Sequence, residues 1–174
     1  MKKGVACILA VLGVSLILVA GCTSSTTSSS ATQTAARYDT VVLVNGTYAI
    51  NASIEEIAVS PSQPGHHVVN IFVNARNTGT APIQLRWYST ITSGNGVSYG
   101  GVGVSHNGYG AETGILRPGA SETARDYVVI GSDMNYQALA NGATLRVFFT
   151  TEPLNDEAPV TFSTAWNLVP SDFP

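Results

Sequence analysis

From about Arg37 onward, apolar and polar residues alternate with a period of two, the signature of half-buried strands rather than helices. The clearest stretch runs from Ile83 to Thr92. Ile83, Leu85, Trp87 and Ile91 fall on one side, and Gln84, Arg86, Tyr88, Thr90 and Thr92 on the other. A second set is Val69, Ile71, Val73 and Ala75, alternating with Asn70, Phe72, Asn74 and Arg76; Phe72 breaks the polar side. Leu145, Val147 and Phe149 form a third set, and Val160, Phe162, Thr164 and Trp166 a fourth. Shorter apolar runs lie at Val41–Val44, Ile54–Val59, Val97–Val104 and Tyr127–Ile130.

Turn-forming residues separate these runs: Asn45-Gly46, Ser60-Pro61 to Pro64-Gly65, Asn77-Thr78-Gly79, Asn95-Gly96, Pro118-Gly119 and Asn141-Gly142. Gly79 and Gly119 can take positive φ at little cost, and Pro118-Gly119 has the order of a type II turn. Asp133–Ala140 is expected to form a helical turn inside a connection. Roughly seven to nine short antiparallel strands with such punctuation predict an all-β sandwich. Trp87 and Trp166, set beside Leu, Ile or Phe, are expected in its core rather than on a sugar-stacking surface.

The first part of the chain reads differently. Met1-Lys2-Lys3 is basic, Gly4 to Ala20 is almost wholly apolar, and Val19-Ala20-Gly21-Cys22 follows. That order describes a secretory signal over residues 1–21; an uncleaved apolar anchor is the alternative. Val19-Ala20-Gly21-Cys22 resembles the lipobox of prokaryotic lipoproteins. The resemblance implies cleavage after Gly21 and a lipid on the Cys22 thiol. Two or more long chains, at about 0.8 kcal/mol per methylene, hold a protein on a membrane. Thr23 to Ala36 has no bulky apolar residue and no charge, so residues 22–36 read as lipidated Cys plus flexible tether, spanning roughly 20 Å. The folded domain is then 37–174.

The chain has two Cys, Cys7 inside the signal and Cys22 after it. The domain therefore has no disulfide and relies on its core. Charged residues make up 11% of the chain, and beyond the signal there are six Arg against eleven Asp and Glu, a net of −5 with no Lys. Such a chain is a poor nucleic-acid binder. A membrane is expected as partner only through the lipid.

Asn77-Thr78-Gly79, then Leu116-Arg117-Pro118-Gly119-Ala120-Ser121, then Asn141-Gly142 leading into Leu145-Arg146-Val147-Phe148-Phe149, resemble the telokin-like, immunoglobulin-type domain of unknown function found in bacterial and archaeal lipoproteins. The similarity covers about Val68 to Leu168. It implies a two-sheet sandwich at the cell surface and supplies no catalytic residues.

Candidate chemistry is sparse. His66, His67 and His106 would hold zinc only if they converged, and adjacent strand residues point to opposite faces. No Gly-x-Ser-x-Gly elbow and no His-Glu-x-x-His occurs, so neither a catalytic residue nor a cofactor is assigned. Asn45 and Asn51 head Asn-x-Ser/Thr triplets and are candidate N-glycosylation sites. Gly94 to Gly119 is rich in glycine and carries Tyr99, His106, Asn107 and Tyr109, a composition suited to a recognition loop on a rigid sandwich. The expected function is a cell-surface lipoprotein on the extracytoplasmic side, presenting an immunoglobulin-like sandwich as a non-catalytic interaction module. Its partner would be a protein or glycan of the envelope or surroundings. The alternative is a small-ligand binder, for a carbohydrate, built on Tyr99, Tyr109 or the Trp residues.

Overall fold

The computed structural model describes residues 33–100, 115–153 and 158–174. The described strands are β1 (Gln33–Ala36), β2 (Val41–Asn45), β3 (Tyr48–Gln63), β4 (His66–Asn77), β5 (Ile83–Ser93), β6 (Ser98–Gly100), β7 (Ser121–Ile130), β8 (Ala143–Pro153) and β9 (Val160–Leu168), with helix α1 at Asp133–Ala140 and a 3-10 turn at Pro170–Asp172. A five-stranded sheet in the order β1-β9-β8-β5-β6 packs on a four-stranded sheet in the order β2-β3-β4-β7. The chain is an all-β sandwich, as its alternation predicts. Ile83, Leu85, Ile91, Val69, Ile71, Val73, Leu145, Val147 and Phe149 are all fully buried between the sheets. Trp87 and Trp166 lie in the same core, which removes them as sugar-stacking surfaces.

Two features depart from the sequence expectation and a third sharpens it. First, Gln33–Ala36, inside the expected tether, forms β1 and pairs in parallel with Thr164 to Asn167 of β9. Thr164 Oγ1 also donates to the Gln33 carbonyl at 3.2 Å. A backbone-driven edge strand of small residues leaves no apolar pattern to read. Second, β3 continues through Pro61 to Gln63, so its hairpin to β4 turns on Pro64-Gly65 rather than from Ser60 onward. Third, Gly79 is not at positive φ, whereas Gly119 is, at 79°. A Cβ on Gly79 would stand 3.0 Å from the Thr47 carbonyl oxygen and 3.1 Å from the Ala49 nitrogen. Close approach, not backbone handedness, demands glycine there. Gly119 takes the third position of a turn closed by Ala120 N–H to Arg117 O at 3.0 Å, the expected type II geometry.

Asn77 explains both glycines. Its side chain is 1% exposed. Its Oδ1 accepts the Gly79 N–H at 2.9 Å, and its Nδ2 donates to Ala81 O at 2.8 Å and Leu116 O at 2.9 Å. Its backbone bonds to Ala120 and Gly119. Leu116 in turn exchanges two backbone bonds with Ile83, the first residue of β5. One carboxamide therefore ties the end of β4 to the start of β5 and to the turn entering β7.

β7 is a ten-residue edge strand, the kind that invites pairing with another chain. It carries Glu122 and Asp126 at positions opposite Ala75 and Ile71, on the inward face. The Asp126 carboxylate spans the sandwich edge, accepting from Ser89 N–H at 2.9 Å, Ser89 Oγ at 2.6 Å and Tyr127 N–H at 2.8 Å. Inward charge that cannot enter a strand–strand seam blocks edge pairing.

Two outcomes check this account. Asn77→Ala strips partners from buried backbone groups and is expected to lower stability by about 2–4 kcal/mol in urea unfolding; a loss under 1 kcal/mol would show that water replaces the carboxamide. Asp126→Ala is expected to cost about 1–3 kcal/mol and to raise the self-associated fraction in sedimentation, because the edge loses one of its two inward charges.

Candidate functional site

The expected recognition residues are only partly brought together. Tyr99 lies in β6 opposite Ile91, half-buried against the core, and its enclosed hydroxyl has no hydrogen-bond partner among the described residues. His106, Asn107 and Tyr109 lie outside the described residues, as does Cys22. Asn45 is exposed at the β2–β3 hairpin. Asn51 is half-buried on the outer side of β3 between Val42 and Arg76.

The two described histidines diverge. His66 Nδ1 lies 3.3 Å from the Pro64 carbonyl. His67 Nε2 bonds Asp133 at 2.8 Å, and its ring stacks on Tyr136 at 4.0 Å. Asp133 is the first residue of α1, whose N-terminus is capped by Ser132 Oγ accepting from Asn135 N–H at 3.2 Å. A carboxylate in the first turn also favours the helix dipole. His67 thus docks α1 on the end of β4. Among the described residues no group of three or more His, Cys, Asp or Glu comes together to hold a metal ion.

Arg37 does work that its place in the sequence does not reveal. It is 5% exposed, pairs with Asp172 at 2.9 Å and donates from Nη1 to Ile54 O at 3.1 Å. Asp172 also accepts from Val169 N–H at 3.0 Å. A buried guanidinium holding its carboxylate and a carbonyl is satisfied and positions the chain. It fastens the entry of the domain to its last turn. Nothing in a one-dimensional reading pairs residues so far apart.

The outer face of the five-stranded sheet holds a feature the sequence reading did not single out. Tyr88 of β5 and Phe148 of β8 are register partners, and their rings stack at 4.8 Å and 14°. Tyr88 is 41% exposed. Arg86 and Arg146 stand on either side of this pair along the strands. Arg86 binds Glu152 at 3.2 Å, and Arg146 is exposed with no ion-pair partner among the described residues. Beyond Arg146, toward the α1 end, an open cleft of about 440 Å³ is lined by Thr92, Thr144 and Asn167 with the turns at Ser93-Gly94 and Gly142. Thr92, Thr144 and Asn167 are neighbours in one cross-strand row. The alternation Arg86-Trp87-Tyr88 announces an outward Tyr; only the β5–β8 register brings Phe148 beside it.

No family model matches the chain, and no curated protein does. Similar solved structures include a candidate ApaA protein from Bordetella pertussis, at 18% identity and TM-score 0.47, covering 70% of this chain and 94% of that one. A secreted protein of Mycobacterium tuberculosis, MPT63, is 11% identical at TM-score 0.44, covering 80% and 100%. A candidate lipoprotein from Bacillus subtilis is 13% identical at TM-score 0.38, covering 70% of this chain and 38% of its own. At these values nothing about function passes from them to this chain, whose sandwich is read from its own strands.

Burial raises the Tyr136 phenol above its ordinary 10.0; the hydroxyl donates to the Pro174 carbonyl oxygen at 2.8 Å. The folded state thus keeps this proton longer than the unfolded state. Stability contributed here is complete below pH 10 and is lost as the pH rises from 10 through the raised folded value. Tyr136→Phe is expected to flatten that alkaline decline in melting temperature. An unchanged decline would assign it to other tyrosines.

Proposed function

We propose that the protein is a lipid-anchored, non-catalytic interaction module on the extracytoplasmic side of a cell membrane. In this reading residues 1–21 direct export, Cys22 carries the lipid, and the sandwich is held outward to meet an envelope or extracellular partner. The observation that carries the reading is the lone cysteine after the signal: Cys22 follows Val19-Ala20-Gly21 directly, and the domain beyond it has none. Among the described residues no helix is long and apolar enough to cross a membrane.

Two further observations support it. The Arg37–Asp172 pair and the Asp126 carboxylate on Ser89 each satisfy strand or turn backbone and so serve packing. Also, β1 runs parallel to β9, so the chain travels from Gln33 toward Ala36, away from the tether and toward the end carrying α1. That direction favours presenting the α1 end, with the Thr92–Asn167 cleft beside it, away from the lipid. Starting the sandwich at Gln33 shortens the tether to Thr23–Thr32, roughly 17 Å on the same scaling.

The test is phase partition of the full chain expressed in a bacterium fed a clickable fatty acid. The wild type is expected to enter the detergent phase carrying the label at the size of the chain cleaved after Gly21, and Cys22→Ser to lose the label. An unlabelled wild type that still enters the detergent phase at full length would replace the lipid with an uncleaved apolar anchor.

A further inference from the structure

We propose that the outer face of the five-stranded sheet is a binding site for an acidic polysaccharide, a chain of sugar rings bearing carboxylates; the inference rests on the interaction-module reading and names its partner. The face offers three kinds of group in consecutive rows along β5 and β8. One row is the stacked Tyr88–Phe148 pair. The next brings Arg146 beside Thr90. The third is Thr92, Thr144 and Asn167, lining the open cleft of about 440 Å³. Successive rows on one face of a strand lie roughly 6.8 Å apart, so a short run of sugar rings reaches all three.

Each row matches one part of such a ligand. A half-exposed aromatic ring takes the C–H face of a pyranose, being apolar in body and wet at the rim. The hydroxyls of Thr92 and Thr144 and the carboxamide of Asn167 both donate and accept, as sugar hydroxyls require. The guanidinium of Arg146 is a planar fork suited to a carboxylate, and none of the described residues supplies one. Glu152 is the carboxylate on this face of β5 and β8, and Arg86 holds it at 3.2 Å. In a domain with a net charge of −5 beyond the signal, a face whose open charge is a cation selects an anion locally. A protein partner would favour a continuous apolar centre, whereas Thr90, Thr150, Ser163 and the two arginines Arg86 and Arg146 flank the ring pair here.

The experiment titrates the full chain, in detergent micelles, with polygalacturonate by calorimetry. Its methyl ester and poly-glutamate are titrated alongside. Binding of polygalacturonate is expected, at least tenfold weaker for the methyl ester and for poly-glutamate. Arg146→Gln, at an exposed position, is expected to weaken it tenfold or more at an unchanged melting temperature. Tyr88→Ser, which also breaks the stack on Phe148, is expected to weaken it as much while the protein remains folded at the titration temperature. Arg117→Gln, on the distant turn before β7, is expected to leave it unaltered. No binding by folded protein, equal binding of the methyl ester or poly-glutamate, or full binding by both face variants would each overturn the proposal. Partition of the same preparations into detergent reads the anchor separately: absent glycan binding with the protein still lipid-bound sinks this inference alone.

Discussion

The hydrogen bonds of Asn77 are the constraint on which the sandwich depends. Two packed sheets need a connection that crosses between them without leaving buried backbone groups unpaired, and such groups are expensive. Asn77 closes that gap from the end of β4, serving the Gly79 amide and the Ala81 and Leu116 carbonyls at once. Leu116 passes the tie to Ile83 in the other sheet. An aspartate would lack the two donors.

Charge is scarce in this domain and is spent at seams. Arg37 and Asp172 join the entry strand to the last turn, His67 and Asp133 dock α1, and Asp126 spans the edge between β5 and β7. Each pairs groups that would otherwise end a sheet or a helix without partners. The low charge also leaves the core to do most of the stabilising, which suits a domain without disulfides. Arg146 lies outside this pattern, as do Arg76, Arg117 and Arg125. It is exposed on a central strand, with no ion-pair partner among the described residues, beside the stacked rings of Tyr88 and Phe148.

The alternation of Ile83 to Thr92 with a period of two determined which side chains fill the core, because neighbouring strand residues must point to opposite faces. It placed Trp87 inside and Tyr88 outside, and the same logic put Trp166 in the core. Ser132 to Asn141 likewise carries its helix locally, through a cap and an acidic first turn. Those features were legible because their cause lies within ten residues or so. Asn77-x-Gly79 and Leu116-x-Pro118-Gly119 were visible as turns, yet not as one knot, since their meeting spans thirty-nine residues.

What only the tertiary structure decided are the contacts between strands distant in sequence. β1 forms because β9 offers its backbone, and small residues such as Ala35 and Ala36 give no pattern of their own. Gly79 needs to be glycine because a hairpin from another strand lies against it. Arg37 becomes an anchor only when the last turn arrives with Asp172. Tyr88 gains Phe148, Arg146 and the threonine row from β8, whose register is set by the buried faces of both strands rather than by anything on the outer one. Period and turn chemistry are local and survive in one dimension; register, edge cover and surface constellations depend on which backbone partner each strand finds.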